Sequence, residues 1–133
     1  MNADVAYLDA SAAVKLLVNE PETEPLRSEL RRFPRRASSL LLHVELLRAI
    51  KRQAVPSLLP AARRQLQLID LITIDTSILD RAAYLDPPRL RSFDAVHLAT
   101  ALALGADLGA LFAYDERLIA GAAALGLPIS SPR

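Results

Sequence analysis

Two apolar runs in this chain end alike: "VAYLD" closes on Asp9 and "LFAYD" closes on Asp115. Short continuous apolar runs of this kind suit strands buried on both faces. Small or polar residues follow each acid and lead into a helical pattern. Strands that alternate with helices require a parallel sheet with helices covering both faces. Such sheets gather their ligand sites at the carboxyl ends of the strands, where both acids stand. Asp is also a good helix N-cap, so one such acid decides nothing. Two at one sheet edge point toward a site.

Proline and glycine punctuate the rest. Residues 5–8 read as a strand and 11–19 as a helix closed by "NEPETEP". Thr23 caps a second helix that runs to about Arg32, before Pro34. Ser38 or Ser39 caps a third, through Arg52, and 61–67 forms a short fourth. "LITID", at 71–75, alternates and is β-branched, so it is a strand. Asp75 repeats the strand-end acid, but Thr76 and Ser77 follow and favour a turn-and-cap role. A helix then runs to Tyr84, and Ser92 caps a long Ala/Leu helix that Gly105 ends. A strand at 110–114, a helix at 116–125 and a strand at 127–130 complete the order.

With 133 residues the chain suits one domain, 1–133, with a real core. Hydrophobic residues make up 52%, which excludes a disordered chain. No apolar run reaches the ~18 residues of a membrane span, and the N-terminus carries Asp4 and Asp9 rather than a basic leader. There is no cysteine, which removes disulfides and thiolate metal sites and fits a cytoplasmic protein. Net charge is only +1, but residues 27–64 hold ten Lys or Arg against two acids, while the rest holds six against thirteen. That asymmetry suits a polyanion-facing surface, or a pair of solvated helix faces. Arg35, Arg36, Arg48 and Arg52 are its candidate contacts to polyanion phosphates.

Two further acids are out of place. Glu45 lies in "SSLLLHVELLRA", amid apolar helix, where a lone carboxylate is costly unless paired. An i,i+3 pair with Arg48 would explain it modestly. Asp94 lies in "LRSFDAVHLATAL", where the helix N-terminus would favour its charge. As a set, Asp9, Glu45, Asp94 and Asp115 sit on different elements, each in apolar surroundings. Converged without a counter-charge they would repel severely. Carboxylates with no cysteine and two histidines suit a hard cation, Mg²⁺ or Mn²⁺. Such ions activate water and neutralise phosphoryl oxygens, so beside a basic stretch they suggest phosphodiester hydrolysis. His97, one turn from Asp94, reads as a packed helix histidine, and His43 as a surface or interface residue.

At these four acids the sequence resembles the PIN-domain family, and within it the VapC-type toxins of bacterial toxin–antitoxin modules. The segments "YLDASAAVKLLVNEP", "SSLLLHVELLRA", "LRSFDAVHLATAL" and "AYDERLIAGAAALGLPI" carry the likeness, in family order over nearly the whole chain. The resemblance implies a three-layer α/β/α sandwich with a central, mostly parallel sheet. It implies a metal-dependent endoribonuclease with Asp9 and Asp94 as principal ligands of Mg²⁺ or Mn²⁺. Glu45 and Asp115 would complete the cluster, and Ser11 would bond Asp9 or a metal-bound water. Many members carry Thr or Ser two residues before the last acid; here that residue is Ala113. The resemblance further implies a VapB-type antitoxin partner and a homodimer.

Mean hydropathy of +0.23 exceeds what a chain of this size comfortably hides. Leu26, Leu30, Leu40, Leu46 and Leu47, beside the arginines, suit a groove for an amphipathic partner helix. Two other functions compete: a non-catalytic PIN-like module that binds RNA or protein, and a phosphatase with a nucleophilic Asp. Retention of all four acids weighs against the first. Ala10 and Ser11 after Asp9, in place of D-x-D, weigh against the second.

Overall fold

The computed structural model describes residues 3–133. Five parallel strands form one sheet in the order β3-β2-β1-β4-β5. They are β1 (Val5–Leu8), β2 (Arg35–Ser39), β3 (Asp70–Ile72), β4 (Leu108–Phe112) and β5 (Ile129–Ser130). The helices are α1 (Ala10–Lys15), α2 (Thr23–Leu30), α3 (Leu42–Gln53), α4 (Leu58–Gln67), α5 (Thr76–Ala83), α6 (Ser92–Ala103) and α7 (Glu116–Ala124).

The period of two along the strands builds the layers. Ala6 and Leu8 of β1, with Ala110 and Phe112 of β4, face α1 to α4 and pack on Leu26, Leu30, Leu42, Leu46 and Ile50. Tyr7 and Leu111 face the other way, onto Leu98, Ala101, Leu118 and Ala122 of α6 and α7, and a register shift between Leu108 and Ala110 brings Leu108 to the same side. This is the α/β/α sandwich. Gly121 lets α7 lie close on α6, because a Cβ there would stand 2.8 Å from Leu98 Cδ1.

Three expectations need correction. The segment that precedes α3 is not the helix cap that its serines suggest. It is β2, a strand between β1 and β3. Its opening arginines are half solvated, and Ser38 and Ser39 hide their polarity locally. Ser38 Oγ donates to Leu8 O at 2.6 Å, and Ser39 Oγ accepts from Leu41 N at 3.1 Å. The leucine groove also fails in part: Leu26, Leu30 and Leu46 are fully buried core, and of that set Leu40 is the exposed one. Finally, Ser92 and Thr23 are the first residues of α6 and α2 rather than their caps; Arg91 and Glu22 hold those positions without side-chain cap bonds, and the Thr23 hydroxyl instead accepts from Glu20 N and donates to Lys15 O.

Candidate active site

β1 lies at the centre of the sheet, and the order reverses there: the chain steps outward to β2 and β3, then returns to β4 on the other side. Where adjacent strands send their connections in opposite directions, a crevice opens beyond their carboxyl ends. Asp9 and Asp115 are the residues that end β1 and follow β4 at this crevice.

Asp9 is the N-cap of α1 and 5% exposed. Its Oδ1 accepts from Ala12 N at 2.9 Å, and Ser11 Oγ stands 2.7 and 2.8 Å from its two oxygens. The Ser11 hydroxyl also accepts from Tyr114 N at 2.8 Å. One hydroxyl therefore ties the end of β1 to the end of β4. Burial pushes the Asp9 carboxyl up to about 6, against the opposing pull of Ser11, Ala12 and His97, and Asp115 repels it further.

Asp115 caps α7: its Oδ1 accepts from Arg117 N at 2.9 Å and Leu118 N at 3.2 Å. With Glu45, Asp94 and Ser11 it lines a cleft of about 820 Å³. Asp94, in the first turn of α6, is also raised. Burial is the largest cause, Asp115 and Glu45 repel it, and His97 and Arg91 oppose the rise. The acids therefore share one field. The helical spacing of Glu45, Arg48 and Arg52 puts all three on one wall of the cleft, and Arg91 and the half-exposed Phe93 stand on another.

Glu45 is not explained by Arg48. His97 Nε2 lies 2.7 Å from Glu45 Oε1, and His97 Nδ1 lies 2.7 Å from the Tyr7 hydroxyl. An ionised Glu45 can only accept, so Nε2 carries a proton. In the neutral ring Nδ1 then accepts from Tyr7 O–H; in the imidazolium it donates to that oxygen. Burial raises the Tyr7 phenol far above its ordinary value, so it stays neutral. His97 is 3% exposed, as a packed helix histidine should be, and it also reaches the site. Two signals pointed this way: His97 lies one turn after Asp94, and Tyr7 is the one polar side chain in β1, whose hydroxyl needs a buried partner. Arg91 and Phe93, which flank Asp94, carried no such signal.

Three of the four acids, Glu45, Asp94 and Asp115, thus line one cleft, and Asp9 is buried behind Ser11 at its floor; they do not form a closed cage. Among the described residues, no three His, Asp or Glu side chains stand together as a ready ligand set. Glu45 is turned to His97 and Asp9 to Ser11. The donor chemistry still suits a hard divalent cation: carboxylate oxygens, two of them raised by burial and by repulsion from Asp115.

The basic stretch divides. Arg48 and Arg52 come to the cleft. Arg35 and Arg36 do not. They pair in register with Val5 and Ala6, at the amino end of the sheet, the pole opposite Asp9. Arg35 lies 3.7 Å from Asp4, and Arg36 borders a shallow basic depression with Arg27 and Arg31. Asp75, the third strand-end acid, caps α5 by accepting from Ile78 N at 2.9 Å. His43 is exposed.

A parallel sheet whose reversal point opens on three carboxylates, with a fourth buried behind Ser11, defines an acidic-cleft α/β protein. The PIN domain family model matches residues 6–124, and the chain belongs to that family. Among curated relatives, Ribonuclease VapC46 of Mycobacterium tuberculosis is 46% identical over 126 residues, covering 95% of this chain and 96% of its own. Ribonuclease VapC47 and Ribonuclease VapC35 of the same species are 37% and 45% identical at the same coverage. A toxin–antitoxin complex from Klebsiella pneumoniae contains a chain of the same fold, with a TM-score of 0.73 at 22% identity, over 96% of this chain and 98% of that one.

Proposed function

We propose that this chain is a metal-dependent endoribonuclease, the toxin of a type II toxin–antitoxin module. The observation that carries the reading is the cleft itself: Glu45, Asp94 and Asp115, with Asp9 tied beneath them through Ser11, facing Arg48, Arg52 and Arg91. Acids alone would repel RNA and arginines alone would merely bind it. Together they suit a phosphodiester that is held by its phosphates while one bond is attacked. Full-length relatives named Ribonuclease VapC support the same chemistry.

Asp9, Asp94 and Asp115, with Glu45 directly or through water, would hold Mg²⁺ or Mn²⁺. Such a cation would activate a water and offset the negative charge of the phosphoryl oxygens. The chain's own residues do the rest. Arg48, Arg52 and Arg91 grip phosphate oxygens. Ser11 fixes the Asp9 carboxylate, and His97, braced by Tyr7, fixes Glu45. Neither His97 nor His43 serves as a general base.

The partner is a VapB-type antitoxin whose basic side chain enters the acidic cleft in place of the cation. The active form is a homodimer in the cytoplasm. No helix among the described residues is long and apolar enough to cross a membrane. The test is incubation of the purified protein with total RNA, with Mg²⁺, with Mn²⁺ or with chelator, beside Asp94→Asn. Metal-dependent cleavage lost in the variant supports the reading, and RNA left intact in every lane overturns it. A thermal melt gives a second readout: Mg²⁺ should raise Tm in the wild type and less in Asp94→Asn, since a ligand of the native state stabilises it.

A further inference from the structure

The acidic cleft has a neighbour. A second hollow, of about 550 Å³, opens between the 87–91 segment and α7. Leu90, Ala120 and Ala124 give it an apolar surface, and Arg89, Arg91 and Arg117 stand around it. Arg91 belongs to both depressions, and on the cleft side its charge reaches Asp94. Helix α7 also serves both: its cap, Asp115, lines the cleft, and Arg117, two residues on, lines the hollow.

No carboxylate lines the hollow. Among the described residues the basic side chains in ion pairs are Lys15, Arg27, Arg32, Arg35, His97 and Arg133. Arg89, Arg91 and Arg117 are in none of them. Three like charges around one apolar depression repel one another, and no lining residue offsets this. Their complement is a ligand with both an anionic group and a flat, weakly polar body. A nucleotide has both: guanidiniums take the phosphate, and an apolar or guanidinium surface takes the base. The volume lies within the usual range for small-ligand sites.

We propose that this hollow is an RNA subsite, which takes a nucleotide flanking the scissile phosphate as the strand leaves the cleft past Arg91. The proposal rests on the ribonuclease reading above. Continuity through Arg91 favours RNA over an acidic protein segment, because a strand held in the cleft by Arg91 is already at the hollow's edge.

The test measures binding of a fluorescent single-stranded oligoribonucleotide to the full chain carrying Asp94→Asn, so that the strand stays whole. Adding Arg89→Gln and Arg117→Gln should weaken binding about tenfold and lower the log–log salt slope by about 1.4, roughly 0.7 for each lost phosphate contact. Arg31→Gln with Arg32→Gln removes the same charge at the other pole of the sheet and should cost less than about twofold. Ala120→Glu, an anion placed in the hollow, should weaken binding more than that control pair. Equal losses in the two arginine pairs, with no extra loss in Ala120→Glu, overturn the subsite. Cleavage by the chain with Asp94 intact is followed in parallel. Cutting together with equal losses overturns the subsite alone. Absence of both cutting and binding overturns the ribonuclease reading and the subsite with it.

Discussion

Asp9 and Asp75 are the same local structure in two places. Each follows a strand and caps the next helix. The backbone angles nearly coincide, φ −85° and ψ 177° against φ −90° and ψ 177°. Each carboxylate accepts from the N–H three residues on at 2.9 Å. Yet Asp9 is buried beneath the cleft, and Asp75 is exposed. The difference is position in the sheet. β1 is central, at the reversal, with β2 and β4 on either side; β3 is an edge strand. At the centre, Ser11 and the end of β4 close over the cap and a second acid faces it. At the edge, nothing does. A cap motif is thus a local solution, and its neighbours decide whether it also becomes a functional acid.

The largest effect that would sharpen this contrast is on catalysis. Asp9→Asn and Asp94→Asn should each lower RNA cleavage by about a thousandfold or more, while Asp75→Asn should stay within about twofold because its carboxylate serves only the helix. Initial rates on one oligoribonucleotide read all three. A comparable loss in Asp75→Asn would break the contrast.

Stability against pH comes next. The folded Asp9 carboxyl is raised from 3.8 to about 6. Below about 3.8 it is protonated in both the folded and unfolded chain, and burial costs nothing. As pH rises from there to 6, the unfolded chain ionises first and native stability is lost; above 6 the cost is complete. Between pH 4 and pH 7, in chelator, Asp9→Asn should therefore gain about 2 kcal/mol relative to wild type. Urea melts along this range measure it, with Asp75→Asn as the matched reference. A difference between Asp9→Asn and wild type that stays flat across the range would show that the Asp9 site is not the dry, repelled one described.

A third prediction moves the contrast between the two ends of the sheet. Arg48→Gln with Arg52→Gln should weaken RNA binding about tenfold and flatten its salt slope by about 1.4. Arg35→Gln with Arg36→Gln, at the amino end, should leave the slope near its original value. Anisotropy titrations at several salt concentrations compare them, and identical slopes would put the strand on both poles.

The smallest effect is local. Asp75→Ala should cost about 1 kcal/mol, the usual worth of an N-cap, with cleavage retained. Differential scanning calorimetry reads it.

By itself the sequence determined the alternation of strands and helices, and with it a parallel sheet covered on both faces. Period and punctuation are short-range properties, written in neighbouring residues. The chain also marked its acids, because a carboxylate amid Val, Leu and Ala is conspicuous wherever it folds. β2 escaped. A five-residue strand that opens on two arginines and closes on two serines shows neither alternation nor an apolar run, and only pairing with β1 and β3 makes it a strand. That pairing settled what the charge pattern left open: one stretch of chain sends Arg48 and Arg52 to the carboxyl end of the sheet and Arg35 and Arg36 to the amino end. The link from Tyr7 through His97 to Glu45 joins residues up to 90 positions apart. It depends on one side chain of α6 reaching both Tyr7 of β1 and Glu45 of α3, a helix packed on the opposite face of the sheet. Contacts of that kind belong to packing, since no local pattern encodes which distant hydroxyl a buried imidazole will meet.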